Sequence, residues 1–284
     1  MKKRLSVLGA LGAMLLALPL LSTQASADPT GSAPPLGPLA TLSPSMFATL
    51  DDPTGTDYQA TASDPSKMPP GSKYKLFGTA KDDTDPQNPY NEVISFDTTD
   101  PTAVAGAYRK LGDHVQIDQL TDMIELKYLF VGRSCDGGSP RVTLLVDANG
   151  DGKFVQEPNG PDFAIHGHLN PPATSACPAG QWRYEDLTDS GNRWEVTPCT
   201  AGMPPALVIP GILCYPYSTW QSMRAAIDAA FPNHRILAGF LVDDSGSFTP
   251  TDQGCAYFDL LSIGPRTLTN WDDTSNGDMQ PNNC

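Results

Sequence analysis

The segment Asp147-Ala-Asn149-Gly-Asp151-Gly152 places side-chain oxygens at alternate positions and a glycine at the sixth. Oxygen ligands at this spacing, with a glycine that permits the sharp turn, form the first half of a calcium loop. The twelfth position, where such a loop carries a bidentate glutamate, is Pro158, with Glu157 one residue short of it. The expected metal set is therefore Asp147, Asn149 and Asp151, with calcium as the cofactor. The competing expectation is a plain hairpin turn between Val142–Val146 and Phe154, in which Asn-Gly and Asp-Gly supply the positive φ angles. His166-Gly-His168 sets two imidazoles on one face of a strand, and with Asp162 they are a candidate zinc or copper pair that lacks a third strong ligand.

Trp182, Tyr184 and Trp194 cluster around an acidic segment. Flat rings flanked by carboxylates and amides suit sugar recognition, the ring stacking on C–H bonds while polar groups bond hydroxyls. The alternative is that Trp182 and Trp194 pack into the core or under a loop. Glu185, Asp186 and Asp189, Asp243 with Asp244, Asp259, and Asp272 with Asp273 supply carboxylates. Glycoside hydrolysis needs two of them at a set separation. Adjacent acids in a strand point to opposite faces, so neither Asp pair is a catalytic pair by adjacency. No Gly-x-Ser-x-Gly elbow is present, which removes the usual signature of a serine hydrolase. No catalytic residue is assigned.

These residues must be held by whatever follows the N-terminus, where Lys2, Lys3 and Arg4 precede an apolar run from Leu5 to Leu21 and the triplet Ala25-Ser26-Ala27. That is the layout of a signal peptide cleaved after Ala27, and the chain is expected to be secreted, with no membrane span after cleavage. The six cysteines, at 135, 177, 199, 214, 255 and 284, all follow this segment, and an even count in an oxidising compartment favours disulfides over metal thiolates. The expected pairing is sequential, Cys135 with Cys177, Cys199 with Cys214 and Cys255 with Cys284; Cys135 with Cys255 is a rival. A formal charge of −14 argues against nucleic acid and anionic membranes as partners.

Residues 28–72 are crowded with Pro, Ser, Thr, Asp and Gly and are expected to form a disordered leader. From Lys73 the chain offers short β-rich runs between turn residues. Strands are expected at Tyr74 to Thr79, Glu92 to Asp97, His114 to Asp118, Met123 to Val131, Arg141 to Asp147, Phe163 to Leu169, Arg193 to Val196, Arg235 to Val242, Tyr257 to Gly264 and Thr267 to Trp271. The nearly continuous apolar runs Val142 to Val146 and Leu237 to Val242 should lie centrally. One helix is expected, capped by Ser218 with Gln221 in a capping box, carrying Trp220, Met223, Ile227 and Phe231 at helical spacing and stopped by Pro232. The domains are then a signal peptide at 1–27, a leader at 28–72, an all-β, antiparallel jelly-roll-like β-sandwich at 73–273 with one short helix and disulfides, and a tail at 274–284.

Four stretches carry a resemblance: Pro140 to Gly152, Trp182 to Asp189 with Arg193-Trp194, Ser218 to Arg235, and Tyr257 to Gly264. Together they resemble a group of secreted bacterial jelly-roll sandwiches built like carbohydrate-binding modules and galactose-binding-like domains. The resemblance implies fold more than activity, since such sandwiches host unrelated sites. The function expected is a secreted, non-catalytic binding module for an extracellular glycan, with a structural calcium. The alternatives are an envelope or matrix structural protein and a glycoside-active enzyme.

Overall fold

The computed structural model describes residues 73–100, 103–112, 114–133, 140–155, 160–169, 180–191, 193–197, 217–244 and 253–268. The expected signal peptide, leader and tail lie outside them, as do Asp272, Asp273 and every cysteine except Cys255. The described strands are β1 (Lys75–Gly78), β2 (Ala80–Asp85), β3 (Asn88–Asp97), β4 (Ala105–Lys110), β5 (Ile124–Val131), β6 (Arg141–Asp147), β7 (Phe163–His168), β8 (Arg183–Asp186), β9 (Trp194–Thr197), β10 (Arg235–Asp243), β11 (Cys255–Ile263) and β12 (Thr267–Leu268). They form two antiparallel sheets. One runs β1-β4-β10-β6-β7-β9; the other runs β2-β3-β11-β5-β8, with β12 against β11. The described residues thus form an all-β sandwich with one α-helix among them, α1 (Trp220–Ala230).

Period-two alternation decides the faces. In β5, Ile124, Leu126, Tyr128 and Phe130 enter the core between the sheets, while Lys127 and Leu129 point away from it. The runs of β6 and β10 lie at the centre of their sheet and are buried nearly throughout, as expected of strands covered on both sides. Gly239 of β10 faces the Ile263 side chain of β11 in the other sheet. A Cβ there would lie 2.3 Å from the Ile263 side chain of β11, so the close approach demands glycine.

Three strands fall where none is expected. β2 reads Ala-Lys-Asp-Asp-Thr-Asp and β4 reads Ala-Gly-Ala-Tyr-Arg-Lys, both poor in β-branched residues. Pairing with neighbouring strands overrides their weak propensity. β8 is only four residues long. Conversely, the strand expected at His114 to Asp118 is a loop running into a 3₁₀ turn at Ile117–Leu120. The Gln116 N–H donates to Gln119 Oε1 at 2.9 Å, and the Ile117 N–H donates to His234 Nε2 at 3.0 Å, so these backbone groups are satisfied without a ladder.

Helix α1 starts one residue later than expected. Thr219 is the N-cap, its hydroxyl accepting the Ser222 N–H at 3.1 Å. Ser218 is bridged to Trp194 through the backbone and is not available as a cap. Trp220, Met223 and Ile227 face the core, and Trp220 packs on Trp194 at 4.7 Å between ring centroids. The helix packs against the 3₁₀ turn, where the Trp220 indole N–H donates to Thr121.

Candidate functional site

The residues expected to form one aromatic platform separate. Trp194 is fully buried, donates its indole N–H to the Leu187 carbonyl at 2.7 Å and covers Gly167, whose Cβ, if present, would meet the ring at 2.8 Å. A ring inside the core cannot serve a surface platform, so Trp194 drops out of that set for a packing reason. Trp182 and Tyr184 remain together. Standing two apart at β8, they face outward beside Leu129 and Lys127 of β5, and Tyr184 is 55% exposed.

The outer face that they flank carries a closed circuit of polar contacts. Trp182 donates its indole N–H to Asp85 Oδ1 at 3.2 Å. Asn91 Nδ2 lies 3.3 Å from both Asp85 Oδ2 and Asp259 Oδ2. Lys127 Nζ reaches Asp259 at 3.5 Å and sits over the Trp182 ring, 4.5 Å from its centroid. The members come from β2, β3, β11, β5 and the start of β8, which is the spatial order of the sheet. Only the link from Asp85 to Trp182 joins strands that are not neighbours; it joins the two edges. Five flat strands span about 19 Å between their outer members, at about 4.8 Å per neighbour. A 3.2 Å hydrogen bond across that distance means that the face curls inward. Gln87 Nε2 adds a second tie between the edges, donating to the Gly180 carbonyl at 3.0 Å.

Along the strands the face changes character. Interleaved with the circuit, Val93, Tyr257 and Leu129 form a small buried apolar cluster against which Trp182 packs. Tyr184 stands directly opposite Lys127, and Glu125 and Asp186 follow it toward one end of the face. Partial burial, with the carboxylates of Glu125 and Asp186, pushes the Tyr184 hydroxyl up to about 12, so it stays a donor across the physiological range. At this end β11 is bulged between Asp259 and Ser262, and Leu260 is held at φ 50°. A left-handed leucine costs on the order of 1–2 kcal/mol, and such strain gathers at functional sites.

Sequence reasoning named Trp182, Tyr184 and Asp259 but missed Asp85, Asn91 and Lys127. Their signals were an Asp-Pro pair marking the β2–β3 turn and the polar outward positions of β5, neither of which says that distant strands converge.

The other candidates stand elsewhere. Asp147 is buried, its carboxylate accepting the N–H groups of Gly150, Asp151 and Gly152 at 2.7, 3.2 and 2.7 Å. Asn149 Oδ1 accepts from Asp151 N, and Asp151 Oδ1 accepts from Lys153 N. Asp162 accepts from Ala148 and Val155; burial and the nearby charges of Asp147 and Asp151 push its carboxyl up. The loop opens onto β7 and not onto a strand at Phe154, so the expected short hairpin is replaced by a longer connection. Among the described residues no group of three or more His, Cys, Asp or Glu side chains is placed to hold a metal ion.

His166 and His168 do share a face but turn to separate partners: His166 Nδ1 meets Thr143 Oγ1 at 2.8 Å, and His168 Nε2 meets Glu195 at 2.9 Å. Asp243 and Asp244 each pair with a different buried arginine, Arg133 and Arg141. Glu185 and Asp189 share Arg193, and Asp186 caps the turn at Thr188. Cys255 begins β11 between Asp97 and Val131. No helix among the described residues is long and apolar enough to cross a membrane.

No family model, curated protein or solved structure matches the chain.

Proposed function

We propose that this protein is an exported, non-catalytic module that binds a glycan on the curled outer face of the β2-β3-β11-β5-β8 sheet. The observation that carries the reading is the exposed Tyr184 beside Trp182, on a concave face whose floor offers both hydrogen-bond donors and carboxylate acceptors. A sugar needs both, since each hydroxyl donates and accepts. Binding is favoured over turnover because Asp85 and Asp259 already share the Asn91 amide and accept further bonds from Gln87 N and Leu260 N.

A jelly roll is part of the proposal. Its support is the strand order: β3, β4, β5 and β6 alternate between the sheets, and β10 and β11 return to insert between β4 and β6 and between β3 and β5. Export and disulfides are proposed from the N-terminal sequence and the even cysteine count; among the described residues no cysteine is free. A calcium ion at Asp147, Asn149 and Asp151 is proposed as structural, supported by the motif and by the crowding of negative charge around Asp162.

The test is titration calorimetry against neutral oligosaccharides with the intact protein and with Tyr184→Ala and Trp182→Ala. We expect binding to fall at least tenfold in both variants while Trp194→Phe retains it. Equal affinity in intact and both Ala variants would remove the face from the function.

A further inference from the structure

The two hydrogen bonds that join the sheet edges belong to the tip of one hairpin, and they cross the outer face on a diagonal. Lys127 stands level with Asp259 and Tyr184, and Leu129 is level with Tyr257 one step further along. Trp182 precedes β8 and packs beside Leu129, and Gly180 donates its N–H to the Phe130 carbonyl at 2.8 Å. Asp85 and Asn91 lie the other way along the strands, past the Asp83–Val93 pair. The Trp182–Asp85 and Gln87–Gly180 bonds, at 3.2 and 3.0 Å, therefore carry the β2–β3 turn over the face to its far corner. Beneath the crossing lie Val93, Leu129 and Tyr257, which point out of the sandwich and yet are only 1%, 0% and 4% exposed.

The tip is fastened differently from the sheet it crosses. Residues 86–90 are all exposed, so hydrogen bonds and not buried apolar area hold it down. The β2–β3 ladder also shifts register between Thr84 and Asp85, an irregularity at which a strand bends. Hydrogen bonds of this kind are exchanged for those of water or of a ligand at small net cost, whereas the ladders and core are not. Lifting the tip frees the Trp182 N–H and the Gly180 carbonyl, and a sugar hydroxyl can both accept from the one and donate to the other. We infer that the β2–β3 tip is a strap that closes the outer face in the free protein and lifts at the Thr84–Asp85 irregularity to admit the glycan. The ligand in this inference rests on the glycan reading above; the motion rests on the tip alone.

Hydrogen exchange of the indole N–H groups, followed by NMR and assigned by single Trp→Phe replacements, reads the motion without a ligand. The Trp194 N–H, buried on the Leu187 carbonyl, is the internal reference for opening of the whole fold. Lifting of the strap should make the Trp182 N–H exchange about a hundredfold or more faster than that of Trp194. Gln87→Ala removes one latch without touching the polar circuit and should speed Trp182 exchange further, by about two- to tenfold. Equal rates for the two indoles, or a Trp182 rate that Gln87→Ala leaves unchanged, would overturn the strap. Calorimetric titration then uses hexaoses of β-1,4-linked glucose, xylose, mannose and galactose and of α-1,4-linked glucose. A hexaose that binds the intact protein should bind Gln87→Ala about two- to tenfold more tightly, because the share of open molecules sets the apparent affinity. Equal or weaker binding to the variant would overturn entry by lifting and leave the glycan reading standing. Failure of every hexaose to bind either protein would overturn the glycan reading, and the exchange rates would then decide the strap by themselves.

Discussion

Trp182 and Trp194 carry the same side chain twelve positions apart, yet a substitution at each should report a different property. Trp194 is buried against Trp220 and Gly167 with its N–H satisfied. Trp194→Ala leaves a large cavity and should cost about 3–5 kcal/mol in denaturant unfolding. Trp182→Phe keeps most of its packing and loses one partly exposed hydrogen bond, so its cost should be about 1 kcal/mol while its binding changes. His166 gives a pH dependence. Burial, with the nearby charges of Arg141 and His168, holds its imidazole well below the ordinary value, so the folded protein keeps it neutral. The unfolded chain takes up a proton near pH 6.5 and the folded one does not, so protonation stabilises the unfolded state. Stability should therefore fall as pH drops below about 6.5, with a slope of at most about 1.4 kcal/mol per pH unit from this group. Unfolding curves of the protein and of His166→Gln between pH 7.5 and 5 should diverge in slope; parallel curves would contradict the neutral, buried imidazole.

At the scale of elements, what the sequence revealed followed from how local the cause was. β5, β6, β10 and β11 announce themselves through apolar alternation or continuous apolar runs, and α1 through its Trp220, Met223, Ile227 spacing; all lie where expected to within a few residues. β2 and β4 were invisible because their β character comes from the strands beside them. The cap of α1 shifted by one residue because Ser218 is engaged with Trp194, a partner 24 positions away. The same distinction governs the site: Tyr184 next to Trp182 is a local pattern, whereas the meeting of Asp85 with Trp182 requires a whole sheet to curl. Thr219→Ala should cost about 1 kcal/mol by removing the Ser222 N–H acceptor, whereas Ser218→Ala should leave the helix unchanged. Thermal unfolding of both variants checks this. The Asp147 loop is tested by unfolding with calcium and then with excess chelator. A midpoint lowered by several degrees on chelation places calcium in the folded state, and an unchanged midpoint assigns the loop's carboxylates to its backbone alone.

On the scale of the molecule, buried charge holds particular parts of the sandwich. Arg133 donates to both oxygens of Asp243, and neither side chain is exposed. Breaking such a pair leaves one buried charge unmatched, so Asp243→Ala should cost about 3–5 kcal/mol, whereas the exposed partner in Arg193–Asp189 should be worth well under 1 kcal/mol. Comparing Asp243→Ala with Asp189→Ala by denaturant unfolding measures the difference.

The position of β10 and β11 in their sheets has a temporal meaning as well. Both come late in the chain, yet each lies between strands made long before it, β10 between β4 and β6 and β11 between β3 and β5. Until residues 235–263 have emerged, each sheet is two separate pieces with a vacant slot and raw edges facing it. Such edges pair readily with other chains, and closing them requires contacts that span most of the domain, which makes folding slow. A nascent or truncated chain lacking these two strands is therefore a sticky, unfinished object, and the export proposed above would suit this design best if the chain crossed the membrane before it began to fold.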